Sequence, residues 1–204
     1  MRIIGGDMRG RNLRVPRVAV RPTQDRVREA LFSSLQTLIP GARVLDLFAG
    51  SGAVGLEAWS RGAAEVCWVE ESSPVYKVLR GNISLVCGDD IETAAVRCIK
   101  AEVFSFLNNK VTKPEFDVVF ADPPYEKAVR NTIIPSPTEL LDAVLASGLL
   151  KKSGVMVLEQ GSKEMLPDSE GWELIRDKRY GGTQLRFFRL VELSAASSEG
   201  GGEI

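Results

Sequence analysis

Histidine is absent from all 204 residues. That absence removes the commonest general base, every Ser-His or Cys-His nucleophile pair and most zinc sites. Whatever chemistry the chain performs must run on carboxylates, backbone groups and a bound cofactor, with no metal. Cysteine is scarce too. Cys67, Cys87 and Cys98 lie in or beside apolar segments without metal spacing or an even count, so buried free thiols are expected rather than a disulfide framework. No apolar run approaches the roughly 18–20 residues of a membrane span, and the start MRIIGGDMRGR lacks the apolar core of a secretory signal. We expect no membrane association and a cytoplasmic compartment, or the plastid stroma if a transit peptide has been removed.

With 44% hydrophobic and 26% charged residues, the chain is long enough for one well-buried core and short for two. Net charge is only −1, but it is unevenly spread. Residues 1–28 hold eight arginines against Asp7 and Asp25, a net +6 without one lysine, which leaves −7 on the remainder. A basic arm on an acidic body is the asymmetry of a protein that grips phosphates with one face. The plainer alternative is a solvated arginine-rich hairpin.

Along the chain, Ile3-Ile4, Gly5-Gly6 and Leu13 to Pro16 suggest a short two-stranded arm, residues 1–22. Thr23 caps a helix whose stripe Val27, Ala30, Leu31, Leu35, Leu38 runs until Pro40-Gly41. Strands and helices then alternate: strand 43–47, helix 52–61, strand 65–69, helix 73–86, strands 96–99 and 116–121, helix 138–147 and strand 154–159. Runs 172–180 and 185–191, joined at Gly181-Gly182, predict an antiparallel hairpin closing a mostly parallel α/β sheet. One domain over 23–193 follows, with the glycine-rich segment 194–204 expected to be disordered.

The first strand runs into VLDLFAGSGAVGLEA, where residues 50–55 match G-x-G-x-x-G and Glu70 follows about twenty residues on. Taken alone, this pattern predicts a nicotinamide dinucleotide. Asp46 argues otherwise, because a carboxylate at the end of the first strand would repel a pyrophosphate. S-adenosylmethionine, with an ammonium, a sulfonium and no phosphate, suits the same place. Gly50, Ser51 and Gly52 would let the backbone approach its methionine portion, the following helix N-terminus would favour its carboxylate, and Glu70 would accept from the ribose hydroxyls.

ADPPY, residues 121–125, ends an apolar strand on two prolines. Each proline fixes its own φ and holds the preceding residue extended, so the carbonyls here face outward instead of joining a helix or ladder. Asp122 and the Pro123 carbonyl, with Pro124 keeping the turn open, can accept the two hydrogens of an exocyclic amine while Tyr125 stacks on its ring. Such an amine is a poor nucleophile while conjugated. Two acceptors favour rehybridisation and aim the lone pair at a sulfonium methyl for in-line displacement.

Four segments, MRIIGGDMRGRNLRVP, RPTQDRVREALFSSL, VLDLFAGSGAVGLEAWSRGA and ADPPY, together resemble the RsmD family of S-adenosylmethionine-dependent methyltransferases, which modify guanine N2 in small-subunit (16S) ribosomal RNA. The resemblance implies a Rossmann-like class I methyltransferase: a mostly parallel seven-stranded sheet with a C-terminal antiparallel hairpin and an N-terminal β-hairpin arm. By position it implies cofactor contacts from Asp46, Gly50, Ser51, Gly52 and Glu70, and from Glu102 toward the adenine, where the family more often carries Asp. Thr23 and Arg26 would help close the cofactor pocket, Asp122 to Tyr125 would hold the base, and Arg9, Arg11, Arg14 and Arg21 would meet RNA phosphates. The partner implied is ribosomal RNA, within a small-subunit assembly particle, and nothing demands more than a monomer. Rival readings are a DNA adenine-N6 or cytosine-N4 amino-methyltransferase, for which no target-recognition domain is visible, and a non-catalytic, cofactor-binding RNA assembly factor.

Overall fold

The computed structural model describes residues 1–16, 25–88, 95–108, 116–124 and 136–191. Strands β1 (Arg43–Leu47), β2 (Glu65–Val69), β3 (Val96–Ile99) and β4 (Phe116–Ala121) occupy the spans the sequence predicts, as does β6 (Trp172–Tyr180); β5 (Leu150–Gly161) and β7 (Thr183–Leu190) run longer or start earlier. Among the described residues five helices accompany them: α1 (Asp25–Ser34), α2 (Ala53–Ser60), α3 (Ser73–Cys87), α4 (Val103–Asn108) and α5 (Pro137–Ser147). The seven strands form one sheet in the order β3-β2-β1-β4-β5-β7-β6. β1 to β5 pair in parallel, and β7 runs antiparallel to both β5 and β6.

Both sheet faces are covered, which is why the central strands read as continuous apolar runs rather than alternating ones. Val44, Val66, Trp68, Val118 and Phe120 point into a core shared with α1, α2 and α3. Their neighbours Leu45, Leu47, Cys67, Val69 and Val119 point the other way, toward α4 and α5. Composition also explains the last hairpin. β7 carries the buried Leu185, Phe187 and Phe188 and docks on β5, whereas the charged, largely exposed β6 takes the sheet edge, where lysine and arginine discourage further pairing.

Two local departures from the sequence reading have physical causes. The first helix ends at Ser34 rather than near Pro40, because the Ser34 hydroxyl donates back to the Ala30 carbonyl and the chain continues in turns from Leu35 to Ile39. Helix α4 was not expected; its N-terminus is made by Glu102, whose carboxylate accepts the N–H groups of Phe104 and Ser105 at 2.9 and 2.7 Å.

Residues 1–13 double back as a short hairpin. Arg2 faces Asn12, and Ile3 and Leu13 N–H groups bond to the Arg11 and Met1 carbonyls. Rather than projecting, the hairpin buries Ile3 and Leu13 against the core. No helix among the described residues is long and apolar enough to cross a membrane, and the segment expected to be disordered, 194–204, lies outside them.

Candidate active site

β1 sits between β2 and β4, so chain order reverses beside it, and the crevice at the carboxyl ends of these strands is where open α/β sheets bind ligands. Asp46 pairs across to Trp68 and to Phe120. Glu70 follows β2 by one residue and Asp122 follows β4 by one, so three carboxylates converge on one rim. Asp46 is 2% exposed and Glu70 8%. Burial raises the Asp46 carboxyl well above the ordinary carboxylate range; the Gly55 N–H, 2.9 Å from its Oδ2, opposes this, and the nearby charges of Asp122 and Glu70 push further upward. Burial likewise raises Glu70, against the pull of N–H groups donated by Ser72 at 2.8 Å and Gly50 at 3.0 Å. Each carboxylate keeps acceptor capacity beyond these bonds. Such a rim invites a cation or neutral donors, and opposes phosphate.

The glycines of the fingerprint do two different jobs. Gly50 and Gly52 adopt φ of 56° and 80°, the left-handed region that side chains rarely enter, and Phe48 just before them is held there too, at 58°. A Cβ on Gly52 would also lie 2.4 Å from Leu79 Cδ1. Gly55 is needed for packing: a Cβ there would lie 2.2 Å from the indole nitrogen of buried Trp68. The loop can therefore approach a ligand closely while α2 stays tight on β2.

Asp122 is half-buried, Pro123 buried and Pro124 exposed. Tyr125, Thr23 and Arg21 lie outside the described residues. Arg26 is exposed on α1, and Glu102, exposed after β3, is engaged in capping α4. Arg9 and Arg11 are exposed on the hairpin and Arg14 immediately after it, with Arg11 Nη1 donating to the Leu85 carbonyl at 2.6 Å. Arg28, one of the eight arginines behind the +6, is not available to phosphate: it is wholly buried and donates to the Arg2 carbonyl and to Asp25. The cysteines are free thiols; burial pushes Cys67 and Cys87 up to about 12 and Cys98 to about 11, which keeps them protonated and poorly nucleophilic. Among the described residues no cluster of metal-ligating side chains occurs.

Two residues that tie the hairpin to the site escape a reading of sequence. Glu57 is wholly buried on α2, and its carboxylate accepts the N–H groups of Ile4 and Gly5, both at 2.7 Å, while pairing with Arg61 at 2.8 Å. Its one sequence signal is a lone charge within the apolar helix AVGLEAWS. Asn82, equally buried on α3, reaches both Arg14 and the glycine loop.

Comparison with known proteins gives the family. The family described as Conserved hypothetical protein 95 matches residues 1–189. The chain is 35% identical over 191 residues to ribosomal RNA small subunit methyltransferase D of Escherichia coli, covering 93% of this chain and 89% of that protein. It is 34% identical over 191 residues to the protein of the same name from Haemophilus influenzae, covering 93% of each. A solved hypothetical protein from Thermus thermophilus superposes with a TM-score of 0.74 at 34% identity, over 93% of this chain and 99% of that one.

Proposed function

The chain belongs to the Conserved hypothetical protein 95 family, the RsmD family, and on that footing we propose that it transfers a methyl group from S-adenosylmethionine to the exocyclic N2 amine of a guanine in small-subunit (16S) ribosomal RNA. The observation that carries the reading is the gathering of Asp46, Glu70 and Asp122 at one rim above the left-handed glycine loop. A cofactor bearing positive sulfur and an ammonium, and no phosphate, matches that donor set. Asp46 and the Gly50–Gly52 backbone would hold its methionine end, Glu70 its ribose, and Glu102 the adenine side, with Thr23 and Arg26 closing the pocket. Bound there, it supplies a methyl group activated by positive sulfur.

In this reading Asp122 and the Pro123 carbonyl accept the two N–H hydrogens of the base amine, and Pro124 and Tyr125 hold its ring. The amine lone pair would be aimed at the methyl group that the cofactor supplies, and the surplus proton of the amine would pass to the Asp122 carboxylate or to water. No nucleophile on the protein is consumed. Residues 23–193 form the catalytic domain and 1–22 the RNA-facing arm, with the guanine turned out of its stack to reach the rim. Mapping modified nucleotides in ribosomal RNA from cells with and without the protein tests the assignment. Loss of one N2-methylguanine is expected; an unchanged map, or label entering duplex DNA instead, would overturn it.

The raised carboxyls make binding depend on pH. Because Asp46 and Glu70 hold protons more tightly folded than unfolded, their own contribution to the stability of the unliganded protein should be fully present below the ordinary carboxylate range and decline as pH climbs through their raised values. A cationic ligand favours the ionised acids, so S-adenosylmethionine affinity should climb over the same window and binding should release protons. Calorimetry in buffers of different ionisation enthalpy reads this directly. Proton uptake would contradict the assignment of Asp46.

The exposed arginines of the hairpin make RNA binding salt-dependent. Replacing Arg9, Arg11 and Arg14 together by Ala should reduce the slope of log affinity against log salt by about 2, at roughly 0.7 per single-strand phosphate contact. Filter binding across a salt series would show it, and an unaltered slope would remove the hairpin from the RNA interface.

A further inference from the structure

Asn82 lies on α3, wholly buried, and its carboxamide serves two segments remote in sequence. Oδ1 accepts the Arg14 N–H at 2.9 Å, and Nδ2 donates to the carbonyls of Arg14 and Ser51, each at 2.9 Å. With Oδ1 and both amide hydrogens engaged, the side chain pairs with residue 14 as a neighbouring strand would, and spends its remaining hydrogen on the glycine loop. A second contact runs the same way: Ser51 Oγ lies 3.7 Å from Met1 Sδ. The arginine-bearing hairpin and the loop between Gly50 and Gly52 are thus joined through one amide group with no slack.

We propose that Asn82 is a positioning residue that couples the two ligands, so that S-adenosylmethionine at the glycine loop and RNA on the hairpin bind cooperatively. The inference rests on the function proposed above. A ligand that settles Ser51 in one posture fixes the Nδ2 bond, and with it the carboxamide plane that holds Arg14. Ordering already done for one ligand need not be repeated for the other. Linkage makes the effect reciprocal, and couplings of this kind run roughly 5- to 150-fold.

The test measures S-adenosylhomocysteine affinity by calorimetry with and without saturating 16S ribosomal RNA transcript. Wild type should bind the nucleoside at least about fivefold tighter with RNA present. Asn82→Asp, which keeps the acceptor for Arg14 N–H and removes both donors, should bring that ratio close to one while each ligand still binds alone. A purely structural role would weaken both affinities and leave the ratio intact, which would overturn the inference. Hydrogen exchange with S-adenosylhomocysteine alone gives an RNA-free readout: the Arg14 amide should slow on binding in wild type and not in Asn82→Asp, and equal slowing in both would also overturn it. Wild type that binds the nucleoside with no RNA effect defeats the coupling and spares the proposed function. Wild type that binds neither S-adenosylmethionine nor S-adenosylhomocysteine defeats both.

Discussion

Asp122→Ala is expected to lower the rate of methyl transfer at least 10²- to 10³-fold, the range seen when one preorganised group is taken from a transition-state site, with little loss of S-adenosylmethionine binding. Asp122 touches the reacting amine in the proposed arrangement, whereas Asp46, Glu70 and the glycine loop carry the cofactor. The loss should therefore fall on kcat and not on cofactor affinity. Asp122→Asn keeps an amide oxygen that can accept from the amine but loses the charge and the site for the surplus proton, so its loss should be smaller than that of alanine. The substitution has a second consequence that a merely destabilising change would lack. Asp122 is one of the charges holding the Asp46 carboxyl high, so its removal should shift the pH window of cofactor binding downward. Single-turnover methylation and calorimetry on the same protein separate the effects. Full turnover in Asp122→Ala would exclude the carboxylate from the chemistry.

Much of this architecture was legible because the signals are local. RVLDL, EVCWV and FDVVFA are short apolar runs bounded by turn residues, and each became a buried central strand with the predicted bounds. The positions of the three acids were legible for the same reason, since Asp46 lies one residue inside the end of its strand and Glu70 and Asp122 each follow one. α4 was not: six residues, VFSFLN, are too few to display a helical period, and its cap comes from Glu102 lying before it. The hairpin was legible as a hairpin but not as a docked one. Its turns come from glycine, while its anchors Glu57, Ser60 and Asn82 stand some fifty to seventy residues further along. Periodicity carries no trace of a side chain that accepts from a distant backbone. The +6 of the first 28 residues misled in one detail for the same reason, because burial of Arg28 depends on the Arg2 carbonyl folding back over α1.

Glu57→Ala is expected to cost about 2–4 kcal/mol, at roughly 1–2 for each backbone N–H left without its acceptor, and so to lower the melting temperature by roughly 4–16 °C for a domain of this size. The Glu57 carboxylate is 0% exposed, receives the N–H groups of Ile4 and Gly5, and faces Arg61, whose guanidinium also lies 5.0 Å over the Phe32 ring. Alanine would orphan both N–H groups and the arginine at once. Glutamine does not rescue the site, because one end of its amide would present hydrogens to a backbone N–H that needs an acceptor. Glu57→Gln should therefore lose a large part of the same stability, where an exposed glutamate would lose almost nothing. Since Ile4 and Gly5 open the hairpin that bears Arg9 and Arg11 and leads into Arg14, RNA affinity should fall along with stability even well below the melting temperature, while the rim acids keep their places and cofactor binding is better preserved. Thermal unfolding of both variants, paired with RNA binding at low temperature, checks this. If Glu57→Gln melts with wild type, the two backbone bonds are not what holds the hairpin down, and its docking must be credited to the burial of Ile3 and Leu13 instead.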